Sequence, residues 1–166
     1  MTPRASNNPN FYVDAMLGKI AKKLRLFGFD TMYKTGISDE LLVEQALLQN
    51  RILVTKDKNL YQRLKRSKIL VVLPLRNDEA GILIELLRCC KIRHIDLLPN
   101  SYTRCPICNG LLKTINKIRV INEIPHNVFG RIDAAYRCSS CMKVYWNGTH
   151  ISCINAIIME INTHLY

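Results

Sequence analysis

Two rhythms of apolar and polar positions alternate along the first 90 residues. "FYVDA" (11–15) is a short apolar strand that runs directly into "MLGKIAKKLRLFG" (16–28). There Leu17, Ile20, Ala21, Leu24 and Phe27 recur at helical spacing, and Lys19, Lys22, Lys23 and Arg25 largely take the other side. Gly28 stops this amphipathic helix. "DTMYK" is a second strand, and "SDELLVEQALLQN" a helix opening with Ser38 and acidic residues, as the helix dipole favours. "RILVT" is a third strand, followed by a short helix from about Lys58 to Lys65. "KILVVLPL" reads as a fourth strand covered on both faces, and "DEAGILIELLRCC" closes the series as a helix. Four strand–helix pairs predict a mostly parallel sheet layered by helices, with right-handed crossovers and a ligand edge at the carboxyl ends of the strands.

Three acids fall at that edge: Asp14 after the first strand, Asp39 at the start of the helix after the second, and Asp57 after the third. Clustered carboxylates repel one another unless a hard cation lies between them, and Mg²⁺ or Mn²⁺ prefers such oxygen ligands. The matching chemistry is phosphodiester hydrolysis by a metal-activated water, with no protein nucleophile. Each aspartate taken alone is equally well read as a helix N-cap, worth about 1 kcal/mol. Their coincidence at one edge is what favours a site.

The second half changes rhythm and chemistry. "CPICNG" holds Cys105 and Cys108, and after 29 residues "CSSC" holds Cys138 and Cys141. Paired C-x₂-C spacing fits a tetrahedral four-thiolate site that is closed to water and therefore structural, with zinc as the ion. Disulfides or a redox pair are the competing reading. "LLKTINKIRVIN" and "AAYRCSSCMKVYWNG" supply strands of a small zinc ribbon whose folding depends on the metal. Of the other cysteines, Cys89 and Cys90 end an apolar helix and read as packed thiols, and Cys153 lies outside the pattern. The expected organisation is a loose tail at 1–10, an α/β domain at 11–90, a packed connector at 91–102, the ribbon at 103–150 and a C-terminal docking segment at 151–166, strand or helix.

Charge narrows the partner. The formal net charge is +11, with 15 Lys and Arg against 9 Asp and Glu in residues 1–90 and 9 against 4 in 91–166, so both halves attract polyanions. Nucleic acid is the leading partner class. Lys19, Lys22, Lys23 and Arg25 lie on a helix that begins beside Asp14 and can guide a phosphate backbone, or form a solvated face. Trp146, with Tyr145, can stack on unpaired bases or fill the ribbon core. His150 in "WNGTH" can contact phosphate or hydrogen-bond a turn. Apolar runs too short to span a bilayer and the lack of a signal-peptide core lead to the expectation of a cytoplasmic protein without a membrane partner.

The motifs "FYVDAMLGKIAKKLRLFGFDT", "SDELL", "RILVTKDKNL", "CPICNG" and "CSSCMKVYWNGTH", in this order from about Phe11 to His150, resemble the Mut-seven C-terminal RNase domain. The resemblance implies a PIN-like three-layer α/β/α sandwich fused to a zinc ribbon, with an acidic cluster that binds Mg²⁺ or Mn²⁺ and cleaves RNA. In it Asp14 matches the acid after the first strand, Asp39 that of the "SDE" segment and Asp57 that of the T-x-D turn. The chain departs from the T-x-D-x-D pattern of many PIN domains at Asn59, which implies weaker metal binding. Asp78 or Glu79 can stand in for the missing acid or serve a helix N-terminus, and Glu40 is a reserve ligand. The expectation is a metal-dependent endoribonuclease for structured RNA; the alternative is an RNA-binding or ribosome-associated factor, on ribosomal RNA, with little catalysis. A toxin-like nuclease with an antitoxin partner ranks third, since isolated toxins of this fold seldom need a ribbon.

Overall fold

The structure is a computed structural model, and it describes residues 8–165. The expected tail at 1–10 lies, for residues 1–7, outside the described residues.

Four short strands, β1 (Phe11–Val13), β2 (Thr31–Tyr33), β3 (Ile52–Val54) and β4 (Val71–Val72), pair in parallel in the order β2-β1-β3-β4. Helices α1 (Gly18–Leu26), α2 (Asp39–Leu48), α3 (Lys58–Leu64) and α4 (Glu79–Cys89) follow them in turn. The period-2 pleat sorts the strand residues into two cores. Phe11, Val13 and Val54 face one layer with Ile20 and Leu24 of α1 and Leu83 and Leu86 of α4. Tyr12 and Leu53 face the other, with Leu42 and Ala46 of α2 and Leu60 of α3. The result is a three-layer α/β/α sandwich. The chain leaves β1 in one direction toward β2 and later passes to β3 on the other side, so right-handed crossovers put α1 on one face and α2 and α3 on the other. The crevice of such a sheet opens where the direction reverses, between the carboxyl ends of β1 and β3.

Local chemistry sets the element ends. Helix α1 closes with Gly28 at φ +95°, where the Gly28 N–H bonds Arg25 and the Phe29 N–H bonds Leu24, a left-handed cap that leaves no room for a Cβ beside Tyr102. Ser38, Asp57 and Asp78 cap α2, α3 and α4. The "KILVVLPL" run departs from expectation. Only Val71 and Val72 pair, at the edge of the sheet, both half-buried, and Leu70 and Leu75 are exposed.

Residues 103–146 carry an antiparallel sheet of β5 (Leu112–Ile115), β6 (Ala135–Cys138) and β7 (Val144–Trp146). The expected strand continuation at Lys117–Asn122 is instead a kinked 3₁₀ segment that, with α5 (His126–Phe129), covers one face of this sheet through Val120, Ile124 and Val128. Helix α6 (Thr149–Thr163) settles the strand-or-helix question for the C-terminal segment. Ile154, Ile158 and Ile161 recur at helical spacing and enter the core shared by α1 and α4. Its Asn155 and Asn162 each accept from and donate to the backbone of the 91–102 connector, at Leu98 and Ile95, over 2.8–2.9 Å. The connector is thereby strapped down along α6.

Asp30, just before β2, joins the sandwich to the first cysteine knuckle. It accepts from Arg51 at 2.7 Å and from the Asn109 side chain at 2.9 Å, with Arg104 3.9 Å away. Burial alone would raise its pKa, but the hydrogen bonds from Arg51 and Asn109, and the charges of Arg51 and Arg104, hold it below the usual carboxylate range. A depressed folded pKa gives stability that is present above the unfolded value, about 4, and lost as pH falls through the folded one. Asp30→Asn is therefore expected to cost about 2 kcal/mol at neutral pH and to flatten the fall of melting temperature on acidification below about pH 4. Thermal melts across pH 2–7 check both.

Candidate active site and metal centre

The acidic edge is built around one threonine. Asp14 follows β1, and its N–H bonds the Val54 carbonyl of β3 at 3.0 Å, which fixes it at the reversal point of the sheet. Thr55, fully buried at the end of β3, donates its hydroxyl to Asp14 Oδ2 at 2.6 Å and accepts from the Asp57 N–H at 3.0 Å. One hydroxyl thus orients the first acid and the turn that carries the third. Asp57 Oδ1 caps α3 through the Asn59 and Leu60 N–H groups, at 2.7 and 3.0 Å, and its second oxygen takes no part in the cap. Asp39, at the first position of α2, lies 3.8 Å from Arg63 of α3.

Thr55 joins Asp14 and Asp57, and the three carboxylates form no compact set. Among the described residues, the four paired cysteines are the one group of three or more His, Cys, Asp or Glu side chains with ligand atoms within 4.8 Å of one another. The other acids at this edge are engaged. Asp78 accepts from the Gly81 N–H at 2.7 Å. Glu79 pairs with Lys23 and, at 3.3 Å, with Lys19, and these cations hold its carboxyl below the usual range against partial burial. Glu40 lies 3.9 Å from Arg63.

At the far side of the chain, the four cysteines meet as two copies of one turn. In the first, the Cys105 N–H bonds Gly110 O, the Asn109 N–H bonds Cys105 O, and Asn109 has φ 70°. In the second, the Cys138 N–H bonds Lys143 O, the Met142 N–H bonds Cys138 O, and Met142 has φ 63°. Cys105 and Cys141 sulfurs are 3.7 Å apart, and those of Cys108 and Cys138 3.3 Å. A tetrahedral zinc with Zn–S of about 2.3 Å separates its sulfurs by about 3.8 Å, so the spacing suits an ion and is far longer than a disulfide, which is about 2.05 Å. Gly110 is required because a Cβ there would lie 2.4 Å from Ser140 Oγ and 2.9 Å from Cys138 Sγ. Partial burial opposes ionisation of Cys108, but the Gly110 N–H and the other three thiols bring its pKa down to about 6. The four cysteines can bind a metal such as zinc.

Residues 9–158, nearly the whole chain, match the family model described as the Mut7-C RNAse domain. The chain belongs to the Mut7-C RNAse domain family. No curated protein and no solved structure matches it. Membership brings nuclease chemistry, with RNA as the substrate that an RNase domain implies. No helix among the described residues is long and apolar enough to cross a membrane.

In this Mut7-C chain the basic candidates divide. Lys22 is exposed and makes no ion pair among the described residues, Lys19 is 83% exposed beside Glu79, and Lys23 is largely covered. Arg25 does not join them at the surface: it is 5% exposed. Its guanidinium donates to Thr31 O, Pro106 O and Ile107 O, each at 2.9 Å, and its charge lies close to Cys105 and Cys108. It ties the first knuckle to the sandwich and offsets thiolate charge, which spacing on α1 alone did not reveal. His150 is exposed in the first turn of α6, and Trp146 is half-buried. Cys90 packs on the core, where burial raises its pKa to about 11, whereas Cys89 and Cys153 are exposed.

Thr55 escaped the sequence reading; its only signal was its place two residues before Asp57. Thr55→Val, equal in shape, is expected to keep the fold within about 1–2 kcal/mol and to lower RNA cleavage about 10–100-fold, as loss of an orienting partner does. Melting and initial cleavage rates measured side by side separate the two effects.

Proposed function

We propose that this Mut7-C RNAse domain is a metal-dependent endoribonuclease acting on structured RNA, with Asp14, Asp39 and Asp57 as its acidic residues and the ribbon assisting RNA binding. The observation that carries the reading is the Asp14–Thr55–Asp57 linkage at the reversal point between β1 and β3. Mg²⁺ takes one or two protein carboxylates and completes its shell with water and substrate phosphates. Asp14 and Asp57 fit that donor set without a compact triad, with Asp39 in support once it leaves Arg63. A divalent ion held there supplies polarisation of a phosphoryl oxygen and a water of lowered pKa. The chain itself does the positioning: Thr55 holds the Asp14 carboxylate in one orientation, and Lys19 and Lys22 on α1 attract the phosphate backbone toward it.

Structural zinc on Cys105, Cys108, Cys138 and Cys141 is part of the same reading, since four thiolates leave no open position. The second reading, an RNA-binding or ribosome-associated factor with little catalysis, draws on Asn59 where a further acid would stand and on the Asp39–Arg63 pair. Both place RNA on a basic surface. The test is cleavage of structured and single-stranded RNA by zinc-loaded protein with Mg²⁺, with Mn²⁺ and with neither. Internal cuts that need the added ion support the nuclease; salt-sensitive binding without cuts under any condition supports the binding factor.

A further inference from the structure

The ribbon sheet has two faces, and one of them packs on the ribbon's own core. The 3₁₀ segment and α5 cover the face of Ala135 and Val144. The opposite face presents Leu112, Tyr136 and Tyr145, the two tyrosines being direct cross-strand partners. It does not close onto the sandwich. Between it, α1 and α6 lies a cleft of about 450 Å³. Leu26, Ile154 and Ile157 form its helical wall, Trp146 and His150 lie at the end where α6 begins, and Lys19, Lys22 and Lys23 line it along α1. Apart from these charged and ring-nitrogen groups, the walls are almost entirely apolar.

Three features select the occupant. The volume lies in the range of about 300–1,000 Å³ typical of small-molecule sites, room for one nucleotide and too little for a duplex. The ribbon side supplies two tyrosine rings, with Trp146 bordering them from the edge of the ribbon core, and base–aromatic stacking needs no hydrogen-bond pattern. The lysines give the α1 side the sign that a phosphate requires, in a chain of net charge +11. The start of α6 adds to it: Gly148 offers no side-chain cap and the first turn holds no acid. Helix α1 begins beside Asp14, so a strand whose base enters this cleft has its backbone led along the lysines toward the acidic edge.

We propose that this cleft is a subsite for an unpaired nucleotide of the RNA, its base between the ribbon tyrosines and the isoleucines of α6 with Trp146 at the rim, its phosphate at Lys22 and Lys19. This rests on RNA being the substrate, and it names where a single-stranded segment is held. The hydroxyls and ring nitrogens of the lining are few beside its apolar wall, so the subsite discriminates mainly by stacking and favours purines over pyrimidines.

Trp146 is the only tryptophan of the chain; its ring borders the cleft and also packs against the ribbon core, so its emission reports on this cleft and on the edge of that core. The full zinc-loaded protein is titrated, without added Mg²⁺ or Mn²⁺, with a single-stranded purine-rich RNA decamer, with the same strand annealed to its complement, and with laurate. The expected result is a saturable change of Trp146 emission with the single strand and a much weaker one with the duplex. Ile157→Phe, which fills the cleft, is expected to weaken binding about tenfold, the effect of losing one stacked base. Lys22→Ala is expected to lower the slope of log affinity against log salt by about one. A strand that binds without changing Trp146 emission, and equally well to Ile157→Phe, overturns the subsite and leaves the RNA reading standing. No binding of either RNA overturns both. Laurate changing Trp146 emission where RNA does not overturns the subsite in favour of an acyl-chain site.

Discussion

Cys138→Ser is expected to abolish zinc binding and to unfold the ribbon, with a loss of melting temperature of about 10 °C or more for the whole chain. Cys138 is fully buried, its sulfur is 3.3 Å from that of Cys108, and it accepts from the Ser140 and Cys141 N–H groups at 3.4 and 3.5 Å. Serine binds the ion far more weakly than a thiolate and reaches less far. The ribbon has little else to hold it, since its own core contains Val120, Ile124, Ile132, Ala135 and Val144. Structural zinc sites supply about 10–16 kcal/mol of apparent folding free energy at neutral pH. Its loss spreads beyond the ribbon because Arg25 and Asp30 of the sandwich bond the first knuckle. Metal content by mass spectrometry and melting by circular dichroism read the effect. A variant with one zinc per chain and wild-type melting contradicts the assignment.

The second large effect is on catalysis. Asp14→Asn is expected to lower RNA cleavage by about 10²–10³-fold or more, the scale of removing one preorganised charge from an active site. Its fold should persist, because the amide oxygen can still accept from Thr55 at the 2.6 Å position and the Asp14 N–H bond to Val54 is untouched. Asp57→Asn should likewise spare stability, since Asn caps a helix about as well as Asp. A loss of cleavage with unchanged melting and unchanged RNA affinity is the signature of a lost ligand. Equal cleavage by wild type and Asp14→Asn would mean the chemistry lies elsewhere on the chain.

What could be read from the sequence was local. The buried face of α1 followed from Ile20, Ala21 and Leu24 at helical spacing, the caps at Ser38 and Asp57 from residue type at a helix start, and the four-cysteine cluster from paired spacing. What escaped was set by distant parts of the chain. Arg25 looked like one more basic residue on α1, yet its partners are carbonyls 81 and 82 residues further on. The apolar run at 68–75 looked doubly covered, but strand order places it at an edge where two residues suffice for pairing. The β-branched tail left helix and strand open until α4 offered a groove for Ile154, Ile158 and Ile161. The acidic edge was legible only in part. Topology brings Asp14 and Asp57 together, but the buried hydroxyl that links them and the arginine beside Asp39 are facts of packing.

The central claim, that the acids of this edge cut RNA with a divalent ion, is tested most directly by the Asp14→Asn, Asp57→Asn double variant against wild type. Both proteins, matched for zinc content, are followed for binding and cleavage of the same structured RNA with Mg²⁺ or Mn²⁺ present. The account predicts that wild type cleaves, that the double variant binds with the same affinity and salt dependence, and that it leaves the RNA intact. Undiminished cleavage by the double variant, or no ion-dependent cleavage by either protein, would contradict it.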